Sequence, residues 1–449
     1  MGLGTWAYMV DDAFIATRYA ENLAAGDGWG MNPGVRSDGV TGPLWLLPLT
    51  AAARGGLAVP DIQRALGLVA MAVAAALGAR GAARVGAPAV GLAVLVLQPG
   101  LGLWGAAGLE TGWAALALTL LCRPLWAGGP FGLAALGAFT LPWLRPELTV
   151  PAAVAAWALT QEPRGALGQA DTRAVSRRPL GALIAGVGSV VAFRVAFFGH
   201  PLPLATGAKL GTLGDGVAYV GVATVLLTGV GGLALVARGA RRLHALGAVV
   251  AAQVAVVLVA GGDWMPGQRL LVPILPLLAV LTAAGFAQAS RWRWPALGCA
   301  LLAPLVTSFV ALPAAREAGA LRREAGPRVA AAIRGRGPVA LIDVGYLGWA
   351  TGVEVVDLAG ITDGEIARAP GGHLSKEIPL GYLDARAPAT LLLHAEVPPE
   401  VDPEGRLQSL AGYPVERALA RSPWVRTHFR VGTLVEYRPG YVYVRLDRR

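Results

Sequence analysis

The sequence predicts a polytopic α-helical membrane protein with a C-terminal soluble α/β domain, and three observations carry that prediction. The 449 residues are 55% hydrophobic and only 15% charged, with a mean hydropathy of +0.55, more apolar material than the cores of a soluble enzyme of this length require. The apolar residues also fall into runs long enough to span hydrocarbon as helices. From about residue 314 the pattern changes: residues 314–449 carry 18 basic and 16 acidic side chains, and their apolar runs shorten to strand length.

Taken in chain order, VDDAFIATRYAENL (10–23) predicts a helix that opens with two carboxylates. PLWLLPLTAAA (43–53) is too short to span and is broken by Pro48, so it reads as an interfacial or re-entrant helix. Ten candidate spans follow, at approximately 62–79, 87–104, 111–122, 130–144, 147–160, 180–198, 217–237, 245–260, 270–288 and 295–313. They assign 1–313 to a transmembrane domain and 314–449 to a soluble one. In the second, 316–334 reads as helical, and VALIDV (339–344), VEVVDL (353–358), ATLLLHA (389–395), GTLVEY (432–437) and YVYVRL (441–446) read as strands.

Charge sets the expected orientation. Residues 1–313 contain 20 Lys and Arg and 12 Asp and Glu. One alternate set of loops, with the basic stretch 161–178 among them, holds twelve of the arginines and only Glu162 and Asp171 of the acids. By the positive-inside rule those loops are cytoplasmic. The same parity puts VDDAFIATRYA, GLET (108–111), RPE (145–147), FGHPLPLATGAK (198–209) and GGDWMPGQR (261–269) on the outer side. It also calls for a further span ahead of Trp6, which ten residues cannot supply, and the reading is that a first membrane helix lies upstream of an incorrectly placed start. MGLGTWAYMV has neither the basic start nor the apolar core of a signal peptide.

Several function classes are excluded. The net charge of +10 is scattered between apolar segments, so it does not form the basic face that nucleic acid needs. Cys122 and Cys299 lie in apolar runs, and the five histidines have no zinc-ligand spacing, so no metal or cofactor is assigned. The glycine-rich stretch GDGWGMNPGVRSDG fits no phosphate-binding loop, because it neither follows a strand nor opens a helix.

On a helix of 3.6 residues per turn, Asp11, Ile15, Arg18 and Asn22 share one stripe, and Asp12 and Tyr19 the next. The two carboxylates therefore point about 100° apart. One is placed to address a substrate while the other holds an arginine or caps a helix.

Together, DDAFIATRYAENLAAGDGWGMNPG, GLET, RPE, FGHPLPLATGAK and GGDWMPGQRLLVPILPLL resemble the bacterial membrane glycosyltransferases of the GT-C class. They lie closest to the group that includes the terminal arabinofuranosyltransferase of mycobacterial arabinan, and VGYLGWATGVEVVDLAGITDGEIAR (344–368) is similar to that group's C-terminal domain. The resemblance implies a GT-C fold, a polyprenyl-phosphate-sugar donor, a glycan or other cell-envelope acceptor outside the bacterial cytoplasmic membrane, and an acid of the first outer loop as base. Carried onto this chain, that acid is Asp11 or Asp12. The chemistry needs one, since a sugar hydroxyl is a poor nucleophile until a carboxylate within hydrogen-bond reach takes its proton.

A departing lipid phosphate needs cationic donors. Lys209, Arg269, Arg145 and Arg18 are the candidates, Lys209 being one of only two lysines in the chain. Asp263, Trp264, Glu110, Glu147 and His200 are candidates for the acceptor or the sugar. Arg269 has an alternative as the partner of Asp263, Arg145 as that of Glu147, and Glu110 as a helix cap. Trp29, Trp45 and Trp104 read most simply as anchors at the membrane interface. Leu204 and Ala205 stand where the family has a polar pair. The transferred sugar is not legible, with arabinofuranose the analogy and a hexose or another pentose the alternative. A transporter is the competing class, but it would place charges in mid-span and show paired halves, and this chain does neither.

Overall fold

The computed structural model describes residues 5–161, 172–208, 211–263 and 265–449. The chain opens with α1 (Asp11–Ala25) and α2 (Pro43–Arg54). The helical part continues through α3 (Val59–Arg84), α4 (Pro88–Leu97), α5 (Pro99–Ala106), α6 (Thr111–Cys122), the single turn α7 (Pro124–Ala127) and α8 (Phe131–Leu144). After it come α9 (Thr149–Gln161), α10 (Thr172–Phe198), α11 (Leu204–Ala208), α12 (Leu213–Arg242), α13 (His244–Ala260), α14 (Leu275–Gln288) and α15 (Arg293–Glu324).

Five stretches are long and apolar enough to cross a membrane: α3, α10 from Ser176, α12, Arg269–Gln288 around α14, and the run from Arg293 to Ile333 that contains α15. A sixth arises if α4 and α5 count as one span, bent by 53°. The bend falls at Gln98, whose backbone is extended because the following proline disfavours the helical conformation. Among the described residues fewer spans result than the ten expected: α6, α8 and α13 have 12, 14 and 17 residues, short of the ~20 that hydrocarbon thickness requires, and α9 is described only as far as Gln161. Of the basic stretch 161–178, residues 162–171 lie outside the described ones and Thr172 onward belongs to α10.

α15 runs unbroken through position 314, so the composition shift falls inside a helix. Beyond it come α16 (Gly326–Ile333), β1 (Val339–Leu341), α17 (Val344–Thr351), β2 (Val355–Asp357), α18 (Gly364–Arg368), α19 (Leu380–Arg386) and β3 (Thr390–Ala395). The chain ends with β4 (Glu400–Val401), β5 (Leu407–Ser409), α20 (Pro414–Arg421), α21 (Pro423–His428), β6 (Phe429–Arg438) and β7 (Tyr441–Arg448). All five expected strands lie in one sheet, ordered β2-β1-β3-β7-β6. β1 pairs in parallel with β2 and β3, and β7 pairs antiparallel with β3 and β6. β3 is buried along its whole length, as a central strand with both faces covered must be.

α1 is the seam between the two parts. Its Ala13 and Phe14 belong to the core of the helical part, whereas Ile15, Ala16, Tyr19 and Ala20 belong to the core of the sheet region. α17 lies against it in the same direction. The approach is close enough that a Cβ on Gly345 would stand 2.0 Å from the Asp11 carbonyl oxygen, and one on Gly348 would stand 3.2 Å from the Arg18 guanidinium. Real Cβ atoms do not come as close to backbone as 2.0 Å, so glycine is required at 345 where these helices touch.

Candidate functional site

The pairing of α1 with α17 separates the two aspartates. The Asp11 carboxylate accepts hydrogen bonds from the backbone N–H groups of Gly345 and Tyr346, both at 2.9 Å, and so caps the N-terminus of α17. Two turns on, Arg18 donates to the carbonyls of Gly348, Gly352 and Val353, the last at 2.7 Å, at the C-terminus of the same helix. Both charges complement the dipole of α17. Arg18 is buried and is not part of the cavity lining that holds Arg145 and Arg269; its donors go to backbone oxygens because α17 ends against it. Burial, with the Asp343 carboxylate nearby, pushes Asp11 up to about 6, against the pull of Arg322 and the Tyr346 N–H.

Asp12, one position on, faces elsewhere. It lines a cavity of about 1020 Å³ together with Glu110, Arg145, Glu147, Asp263 and Arg269. Six candidates from four separate motifs thus share one hollow. Lys209 and Trp264 lie outside the described residues. His200 is not part of the lining; its Nδ1 is 2.7 Å from the Leu202 carbonyl and 3.9 Å from Asp38. Ala205, at one of the two positions that depart from the family, does line the cavity.

Local chemistry explains how each polar group arrives. The backbone at Arg145 is extended, ending α8, because Pro146 forbids the helical conformation before it. The side chain then reaches back: Nε is 2.8 Å from Glu110, Nη1 is 2.7 Å from Glu147, and Nη2 donates to Thr111 Oγ1 at 3.2 Å. Glu110 stands at the N-cap position of α6 but makes no side-chain capping bond, its carboxylate being committed to Arg145. At the other wall α13 ends in two left-handed residues, Gly261 and Gly262, which turn the chain so that Asp263 meets Arg269 at 2.7 Å. Arg269 also lies over the Trp104 ring at 5.6 Å. The interface reading of two tryptophans is corrected here: Trp45 and Trp104 are 1% and 0% exposed, wholly inside the protein.

The cavity is two-faced. Asp12, Glu110, Glu147, Asp215 and Asp263 supply five carboxylates against the guanidiniums of Arg145 and Arg269 among the described residues. Opposite them Ala252, Ala255, Val256 and Val259 line the cavity as a helical stripe on α13, spaced at three, four and seven residues. Val259 is 74% exposed, so that wall continues to the outside of the molecule. Among the described residues no group of three or more His, Cys, Asp or Glu side chains is placed to hold a metal ion.

Residues 315–443 match a family model described as a domain of unknown function (DUF8728). No curated protein matches the chain. The matched region is the sheet region with α17, less than a third of the chain, and it supplies Ile361 to the cavity lining.

Sequence reasoning missed several charged groups. Asp38 and Arg194 form an ion pair of 2.9 Å, at 0% and 1% exposure, with Arg194 also donating to the Thr41 carbonyl and so holding the loop whose Gly39, Val40 and Thr41 line the cavity. In the sheet region His394 bridges Asp343 at 2.9 Å and Glu416 at 2.7 Å. Burial alone would lower His394, but the two carboxylates raise it to about 10. Burial would likewise raise Asp343, yet His394 and the Tyr443 hydroxyl hold it down at about 2. Lys376, the second lysine, is buried and donates to the carbonyls of Ala367 and Ala369, where α18 ends.

Proposed function

We propose that the protein is an inverting, membrane-embedded glycosyltransferase that moves a sugar from a polyprenyl-phosphate donor to an extracytoplasmic glycan or other cell-envelope acceptor. The observation that carries this reading is the cavity whose lining includes Asp12, the Arg145 and Arg269 clusters and an apolar stripe on α13. A ligand matching it has an apolar tail, an anionic head and hydroxyl groups. In this reading the bilayer surrounds the long apolar helices, and the cavity and the sheet region lie on the outer side, as the arginine-rich loops require.

Asp12 is the base in this proposal. It takes the proton of the acceptor hydroxyl while the oxygen forms its bond to the anomeric carbon, and the bond to the phosphate oxygen breaks on the opposite face, which inverts that centre. The leaving phosphate keeps the electron pair. Arg145 and Arg269 are each oriented by carboxylates, and a guanidinium has five N–H donors, so both retain hydrogens for the phosphate oxygens. Their charge is already shared, which favours geometry over net attraction. Asp11 and Arg18 hold α17 and do not touch substrate in this proposal. Arabinofuranose is the donor sugar that the family resemblance favours.

The deciding experiment is a screen of lipid-phosphate sugars with purified protein in nanodiscs, with Asp12→Asn as the control. Transfer from one donor, lost in that variant, supports the reading. Transfer that survives it removes the base assignment, and no transfer from any lipid-phosphate sugar removes the donor class.

A further inference from the structure

A second, smaller cleft of about 170 Å³ lies between residues 31–37 and the 362–386 segment. That is room for about six waters, which suits a compact polar group and not a lipid chain. Its walls carry three guanidiniums, Arg36, Arg368 and Arg386, with Asp363, Glu365 and Tyr382.

The hydrogen-bond accounting of these groups is one-sided. Asp363 is committed: one oxygen accepts from the N–H groups of Glu365 and Ile366, the other from the Tyr382 hydroxyl at 2.7 Å. Glu365 meets Arg368 only at 3.4 Å. Arg386 holds Glu354 at 2.8 Å through Nη2, while its Nε is buried and makes no hydrogen bond among the described residues. Arg36 lies over the Phe197 ring at 4.3 Å and gives one N–H to the Phe197 carbonyl. Each guanidinium has five N–H donors, so donors exceed acceptors, although with Glu354 the three guanidiniums face three carboxylates.

We infer that this cleft binds an oxyanion, a phosphate or carboxylate group, which supplies the missing acceptors in the bidentate geometry guanidiniums favour. Its position names the source. Gly39 and Ile361 line the large cavity, Ser37 and Thr362 line the cleft, and a Cβ on Gly39 would stand 2.8 Å from Thr362 Cγ2. One layer of chain separates the two sites, so the oxyanion belongs to a neighbouring unit of an extended acceptor that crosses this rim. The acceptor assignment rests on the glycosyl-transfer reading; oxyanion binding does not.

The test titrates the full-length protein in detergent with inorganic phosphate, read by ³¹P line broadening or calorimetry. Arg368→Gln and Arg386→Gln are the variants, and Arg417→Gln, outside the cleft, is the control. Arg368 is 65% exposed, so its replacement leaves the fold intact. The expected result is saturable binding weakened about tenfold in each cleft variant and unchanged in the control and in Asp12→Asn. Absence of saturable binding, or equal affinity in all variants, overturns the proposal. With transfer activity in hand, a raised acceptor KM at constant kcat in Arg386→Gln supports the acceptor as source. Weakened phosphate binding with an unchanged acceptor KM assigns the cleft to a free anion and overturns the acceptor assignment. Loss of transfer in Asp12→Asn with phosphate binding retained separates failure at one site from failure at the other.

Discussion

Asp11 and Arg18, seven residues apart on α1, hold opposite ends of α17: the carboxylate takes the N–H groups of Gly345 and Tyr346, and the guanidinium takes the carbonyls of Gly348, Gly352 and Val353. Seven residues advance a helix by about 10.5 Å, close to the length of α17, so the spacing matches the helix it grips. This clamp is what joins the sheet region to the first helix of the chain.

Replacing Arg18 with Gln shortens the reach and leaves buried carbonyls without donors. The expected loss is about 2–3 kcal/mol of stability, concentrated at α17. Hydrogen exchange of the 344–353 amides is the measurement; exchange as slow as in the wild type would mean that the clamp contributes nothing.

Gly345→Ala tests the close approach directly. Its Cβ would meet the Asp11 carbonyl at 2.0 Å, so the helices must part at a cost of about 1–3 kcal/mol. Gly381→Ala is the control, because a Cβ there meets nothing within 4 Å. Equal melting temperatures for the two variants would contradict the packing described.

The two neighbouring carboxylates should differ when each is made an amide. Asp12→Asn is expected to lower kcat by about 10²–10⁴-fold, the contribution typical of a positioned base, with the melting temperature kept. Asp11→Asn should instead lower the melting temperature, since an amide N–H₂ then opposes one backbone donor, and retain measurable transfer. The reverse pattern would exchange the two roles.

The pH dependence of stability follows from His394 and Asp343. His394 is raised from 6.5 to about 10, so its contribution is complete below pH 6.5 and is lost as pH rises toward 10. Asp343 is lowered from 3.8 to about 2, so its contribution is complete above pH 3.8 and is lost as pH falls toward 2. Asp11, raised from 3.8 to about 6, loses its contribution earlier, as pH rises from about 4 to 6. The sheet region should therefore be most stable near pH 4, with a first decline toward pH 6 from Asp11 and a second from about pH 6.5 to 10 from His394. His394→Gln should flatten most of the alkaline limb in thermal melts taken from pH 6 to 10, and a limb of unchanged slope would refute the bridging role.

The longest apolar runs were legible because hydrophobic length is a local property, and the strands were legible because β1, β3 and β7 carry unbroken apolar stretches. Where ten spans were expected, five helices, or six with the bent pair, are long and apolar enough among the described residues, and the expected span 111–122 is a buried helix of 12 residues. Apolar composition there reflects burial against neighbouring helices, and a helix covered by protein reads like one covered by lipid. Arg18 was placed with the phosphate ligands as a cation of the same outer motif as Asp12; nothing local shows that α17, more than three hundred residues away, ends against it.

Sequence alone determined the helical character, the change at about 314 and the divergence of Asp11 from Asp12, since a residue every 100° around a helix follows from covalent geometry. Which carboxylate turned inward to α17 and which outward to the cavity was decided only by tertiary structure. Glycine at 345 lets α17 dock over Asp11, while Asp12, Ile15 and Ala16 became part of the cavity wall.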